Sequence, residues 1–215
     1  MSKAENVIKY YVLCNKLKNV IRTGWTEWHV KKDRLESVAE HIYGVQMLAL
    51  AMKSEYQYDI DIQKVIYMLA VHELEEIYIG DLTIFQIDKE EKEKLGHIAI
   101  NKVLNNLLDK ETIINLILEF DERKTKEAKF AYLCDKLECD LQSKLYDEEK
   151  CVDLNEQAGN KTLNNPLVHR LLQEGRSWSD MWLTFGQTIY PYDENFIEVS
   201  NYAKENNIKI KNLSK

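Results

Sequence analysis

The sequence predicts an all-α fold, because helix-period apolar stripes recur from end to end, convincing strand alternation is lacking, and 7 Gly with 2 Pro among 215 residues leave little turn chemistry for a β-rich chain. Apolar residues at 45% against 30% charged exclude a disordered chain and suffice for one sizeable core. No stretch approaches the roughly 20 apolar residues of a membrane helix, and Met1 to Tyr10 carries no apolar secretory segment. The expected setting is therefore the cytoplasm, with no membrane partner. One helical domain over residues 1–215 is the economical organisation, with C-terminal helices in 146–215.

The elements follow in order. Ile8, Tyr11, Val12, Leu17 and Val20 form a stripe that predicts a helix from about Ala4 to Ile21, ending in a loop from Arg22 to Leu35 that holds Gly24, Trp25 and Trp28. Ser37-Val38-Ala39-Glu40 reads as a capping box, and Ile42, Val45, Leu48, Ala49 and Met52 follow it. His41 thus falls in the opening turn of the second helix. A third helix, near Ile62 to Ile79, contains Val65 to Val71, apolar on every side and hence central. That rod runs straight into His72-Glu73-Leu74-Glu75-Glu76, with Gly80 as a stop. Asp88 with Glu91 opens a helix to about Leu108, and a shorter one covers Glu111 to Phe120. Thr125 to about Asp147 carries a leucine face at Leu133, Leu137, Leu141 and Leu145. Asn165-Pro166 is a cap with proline at the first helical position, Gly175 closes that helix, and two more span Ser177 to Gln187 and Asp193 to Asn206.

The four cysteines, at 14, 134, 139 and 151, have no paired spacing and read as reduced small hydrophobes. A formal charge of −7 argues against a nucleic-acid polymer, whose affinity is built from neutralised phosphates. Lys16 to Arg34 runs against that balance, with six basic and two acidic residues. A local positive patch on an acidic protein suits a small phosphorylated ligand.

Three places put ionisable groups where a bland helix would not. Alone, His41 reads as a structural histidine. His72 and Glu76 are i and i+4 and share a helix face, while Glu73 points about 100° away, so adjacent ligands converge on a metal only at a helix end or bend. The alternative for Glu73, Glu75 and Glu76 is a solvated acidic end. Asp135 lies on a stripe with Ala128, Ala131 and Cys139, small residues that turn its carboxylate inward, where it must be metal-bound, hydrogen-bonded or paired with a Lys or Arg from another helix.

Together His41, His72, Glu73 and Asp135 resemble the H…HD…D signature of the HD-domain phosphohydrolase superfamily, with Glu73 where aspartate is usual. The resemblance extends to its 5′-deoxynucleotidase branch through Arg22-Thr23-Gly24-Trp25, Glu36 to His41, His72 to Leu82, and Ala128-Lys129-Phe130 to Glu138, covering roughly residues 10–145. It implies a single HD-type helical bundle whose metal-site core is that span. It implies one divalent metal ion (Mn, Co, Mg, Zn, Ni or Fe) held by His41, His72, Glu73 and Asp135, with open positions for water and a phosphate oxygen. It further implies Glu76 as general acid or base, Arg22 as the phosphate grip, Asp81 as an acceptor for a sugar hydroxyl, and Trp25 as the group that crowds the 2′ position. The activity implied is hydrolysis of deoxyribonucleoside 5′-monophosphates. Alternatives are a pyrophosphohydrolase or triphosphohydrolase on the same metal and a non-catalytic nucleotide-binding regulator. The sequence does not fix the oligomer count, but relatives commonly form homodimers, and an all-α chain with exposed apolar helix faces could do so. Lys31, Lys32 and Arg34 read as solvated loop charges, Trp28 as a core residue, and His29, His97 and His169 as outside the site.

Overall fold

The computed structural model describes residues 2–83 and 86–210, the side chain of Lys89 excepted. Among these the chain is helical, with an isolated antiparallel bridge between Ile21 and Ser37. It divides into two compact units, one of Met1–Trp25 and Leu35–Tyr132, the other of Thr26–Arg34 and Leu133–Lys215.

In the first unit, α1 (Lys3–Cys14) opens on Ser2, whose hydroxyl accepts from the Glu5 amide at 3.1 Å. The expected single helix to Ile21 tightens instead into a 3₁₀ turn over Asn15–Asn19, where the Asn15 side chain donates to the Tyr11 carbonyl at 2.8 Å and competes with the α ladder. The predicted loop contains a short helix, α2 (Thr23–Glu27). The bridge closes its base, with the Arg22 amide on the Glu36 carbonyl at 3.0 Å and the Val38 amide on the Val20 carbonyl at 2.8 Å. The capping box forms as predicted: Ser37 and Glu40 satisfy each other's amides at the head of α3 (Val38–Tyr56), which places His41 in its first turns.

α3 packs on α4 (Ile62–Val71), and Val45, Ala49 and Met52 meet Val65, Met68 and Leu69 in a core from which water is excluded. Burial of each Val, Leu or Met side chain there contributes about 1.5–3 kcal/mol, and of Ala49 about 0.8 kcal/mol. The predicted helix from Ile62 to Ile79 breaks at the motif itself. α4 stops at Val71, residues 72–75 turn, and a short α5 (Glu76–Ile79) resumes. The His72 ring bonds the Leu69 carbonyl at 2.8 Å, and the Leu74 and Glu76 amides reach back three residues to Val71 and Glu73. Gly80, at φ 74°, ends α5 in a conformation that suits glycine. α6 (Lys89–Leu104) packs on α5, and α7 (Lys110–Glu122) on α4.

α8 (Lys126–Glu148) gives its opening turns to the first unit and the remainder to the second. The second unit continues with a 3₁₀ turn at Lys161–Asn164, α9 (Pro166–Glu174), α10 (Trp178–Ile189) and α11 (Glu194–Glu205). Asn165 caps α9 by accepting from the Leu167 and Val168 amides, with Pro166 at the first helical position as predicted. Trp28 and Trp178 meet edge to face at 5.7 Å in its core, with Leu183 and Phe196 fully buried. Trp28 is thus a core residue. The four cysteines are free thiols.

Candidate metal centre

The break after Val71 supplies the bend that adjacent ligands need. His72 closes α4, Glu73 lies in the turn beyond it, and His41 reaches them from the head of α3. One ligand atom from each of the three lies within 4.8 Å of the others. His41 Nε2 stands 3.9 Å and His72 Nε2 3.6 Å from Glu73 Oε1, and the two rings are 5.9 Å apart. None of them reaches solvent freely: exposure is 0% for His41, 4% for His72 and 9% for Glu73. The solvated acidic end is therefore corrected, because Glu73 and Glu76 are both buried.

The donor chemistry fits a divalent cation. A carbonyl only accepts, so the 2.8 Å contact with Leu69 fixes the His72 proton on Nδ1 and leaves the Nε2 lone pair toward Glu73. Phe120 packs its ring edgewise on His72 at 5.1 Å and holds that orientation. Imidazole nitrogens and a carboxylate oxygen spaced 3.6–3.9 Å apart are separated as ligands around one ion at about 2.0–2.2 Å would be. Asp135 lies on α8 in the second unit, 2% exposed, with Lys136 Nζ at 2.7 Å from its carboxylate. One partner is thus the neighbouring lysine on its own helix.

Arg22 and Asp81 are 59 residues apart in sequence and meet here. The Arg22 guanidinium lies 3.3 Å from Asp81 Oδ1 and 3.5 Å from Glu73 Oε1. Asp81 also accepts from the Thr23 amide, and the Thr23 hydroxyl donates to the Asp81 carbonyl, so the head of α2 is tied to the segment after α5. Trp25 is 2% exposed, and its indole N–H donates to Glu36 Oε2 at 2.6 Å. Glu76 is 1% exposed. Burial drives its carboxyl well above the ordinary range, the charges of Glu73 and Asp81 add to that, and Arg22 and Lys92 oppose it. Glu75 is pushed up to about 8, chiefly by burial and then by Glu73.

The sequence reading missed Thr23, Glu36, Phe120 and Lys92 as parts of this neighbourhood. Thr23 and Glu36 lie inside the motifs that carry the resemblance, but nothing local marks a hydroxyl or carboxylate for a long-range partner. Lys31 and Lys32 are exposed and pair with Glu156 and Glu149 in the second unit, as solvated loop charges. His29, His97 and His169 are exposed and lie outside the ligand set.

The family model of the HD domain matches residues 14–174, a span that contains His41, His72, Glu73 and Asp135. The chain belongs to the HD-domain family. Within it, the chain is similar to the 5′-deoxynucleotidase HDDC2 of Dictyostelium discoideum, 34% identical over 152 residues that cover 67% of this chain and 79% of that protein. It is also similar to the 5′-deoxynucleotidase hdd1 of Schizosaccharomyces pombe, 29% identical over 184 residues, 80% of this chain and 90% of the relative. The fold is shared with the PH0347 protein of Pyrococcus horikoshii, with a TM-score of 0.64 at 23% identity over 92% of this chain and 98% of that one. A predicted metal-dependent phosphohydrolase of Magnetospirillum magnetotacticum aligns with a TM-score of 0.63 at 20% identity, covering 95% and 92% of the two chains. This HD-type chain has no described helix long and apolar enough to cross a membrane.

Proposed function

We propose that the protein is a metal-dependent 5′-deoxynucleotidase that hydrolyses deoxyribonucleoside 5′-monophosphates to nucleoside and phosphate, with His41, His72, Glu73 and Asp135 as the ligands of one divalent cation. The observation that carries this reading is the convergence of two buried imidazoles on the Glu73 carboxylate, beside an arginine, in a chain similar to 5′-deoxynucleotidases. When bound, a divalent cation lowers the pKa of water and offsets charge that builds on phosphoryl oxygens. The chain's own groups do the rest. Arg22 presents a planar fork matched to phosphate, and Asp81 and Thr23 hold the turn that carries it. Glu76, seated in a dry wall beside Glu73, exchanges a proton with the attacking water or the leaving oxygen. Trp25 shapes the sugar side from within the core, because its bond to Glu36 fixes the turn that follows Arg22.

The likeness to 5′-deoxynucleotidases supports a small nucleotide as partner, a net charge of −7 argues against a nucleic-acid polymer, and four free cysteines support the cytoplasm as the setting. Val7, Ile8, Tyr11 and Val12 on α1 are all more than half exposed, an apolar stripe that supports a homodimer. The pyrophosphate reading asks for a richer set of unspent cations, and Lys31 and Lys32 are engaged with glutamates.

The test is phosphate release from panels of dNMPs, NMPs, dNTPs and pyrophosphorylated nucleotides with Mn²⁺, Co²⁺, Mg²⁺ or chelator, repeated on His72→Ala and Glu76→Ala. Metal-dependent release from dNMPs, lost in both variants with circular dichroism retained, is the expected result. Turnover untouched by chelator and by both substitutions would overturn it, and nucleotide-induced thermal stabilisation without release would point to the regulator instead.

A further inference from the structure

Lys92 sits in the opening turns of α6, where its amide makes the first bond of the helix ladder, to the Asp88 carbonyl at 3.0 Å. A cation there faces the positive end of the helix dipole, an unfavourable place for a lysine that only solvates a surface. Its side chain runs instead toward the segment that carries the acid–base group. Nζ donates to the Leu82 carbonyl at 2.9 Å and lies 3.6 Å from Glu76 Oε1. Glu76 has a fully buried side chain, and neither carboxylate oxygen has a hydrogen-bond donor among the described residues. α6 packs on α5, with Gly96 facing Glu75 at the head of α5, where even a β-carbon would make an ordinary contact of 3.5 Å with Cγ. One ammonium therefore bridges α5 and the segment just beyond Asp81.

We propose that Lys92 is a positioning residue for the reaction, an electrostatic latch that aims the Glu76 carboxylate and fixes the Asp81–Leu82 segment relative to it. This rests on the nucleotidase reading of the site. Lys92 acts through Glu76 and through the backbone, so its removal falls on the chemical step rather than on substrate affinity. General acid–base groups contribute about 10²–10⁴-fold, and misaiming one forfeits a large part of that.

The experiment compares Lys92→Met, Lys92→Arg and the exposed control Lys94→Met in the full chain, with a dNMP and Mn²⁺. Lys92→Met is expected to lower kcat at least tenfold with KM within about threefold, Lys92→Arg to restore most of kcat, and Lys94→Met to match wild type. Mn²⁺ affinity and Tm should stay close to wild type. A raised KM at unchanged kcat would overturn the latch and make Lys92 a direct substrate ligand. Equal kcat in Lys92→Met and wild type would overturn it outright, while leaving the nucleotidase reading intact. If the wild-type protein itself released no phosphate, that reading would fail separately, and deuterium exchange would still decide on the latch. Amides of Tyr78, Ile79 and Gly80, all hydrogen-bonded to Glu75 or Glu76, should exchange at least threefold faster in Lys92→Met; unchanged exchange would dismiss it.

Discussion

Trp25→Phe separates a tryptophan that works from the core from one that meets substrate directly. The indole N–H donates to Glu36 Oε2 at 2.6 Å, and the two residues are only 2% and 9% exposed. Phenylalanine keeps most of the apolar contact and removes the donor. Losing a hydrogen bond to a buried carboxylate costs about 1.5–3 kcal/mol, and the smaller ring leaves unfilled space worth about 1 kcal/mol more. For a chain of this length the sum lowers Tm by roughly 5–15 °C. Glu36→Gln keeps an acceptor oxygen, so it should cost less, and the double variant should lose less than the sum of the singles, with a coupling of about 1 kcal/mol. Thermal melts followed by circular dichroism read all four proteins. A Trp25→Phe melt within 2 °C of wild type, or strict additivity with Glu36→Gln, would refute the reasoning and return Trp25 to a direct role at the substrate.

Further outcomes follow from the same structure. Gly186→Ala would bring a β-carbon to 2.0 Å from Asp140 Oδ2 and 2.9 Å from its Cγ, so overpacking should cost about 1–3 kcal/mol, read as a Tm lower by roughly 2–12 °C. An unshifted melt would mean that Asp140 gives way freely. Burial holds the Asp140 carboxyl well above the usual range, against the opposing pull of its Tyr192 hydrogen bond and of Lys136. With the folded pKa above the unfolded one, this group favours the native state most below about pH 4, and that benefit fades as pH rises. Asp140→Asn should therefore gain on wild type in melts between pH 4.5 and pH 8, and a pH-independent difference would contradict the assignment. Ser37→Ala removes the acceptor for the Glu40 amide at the head of α3 and should cost about 1 kcal/mol in denaturant melts; a loss below 0.3 kcal/mol would show the cap to be dispensable.

Caps, turns and helix periods were legible because they are local. Ser37 with Glu40 and Asn165 with Pro166 place two helix starts from neighbours in sequence alone. The break at His72 was not, since Val65 to Ile79 holds no Gly or Pro to mark a stop and the stop comes from a ring-to-carbonyl bond and three-residue backbone turns. The same break decides how Glu73 can face the same point as His72. Residue types at His41, His72 and Glu73 carried the chemistry, but the pairing of Arg22 with Asp81 spans 59 positions and has no local signature. Lys92 was unreadable for the opposite reason: a lysine in a run of charges at a helix start reads as solvated until its partners are seen.

The most direct measurement of the central assignment is calorimetric titration of the chelator-treated protein with Mn²⁺, run beside His72→Ala and Asp135→Ala. The account predicts one tight site per chain in the wild-type protein and at least a hundredfold weaker binding in each variant, with folding intact. No site in the wild type, or the same affinity in all three, would contradict it.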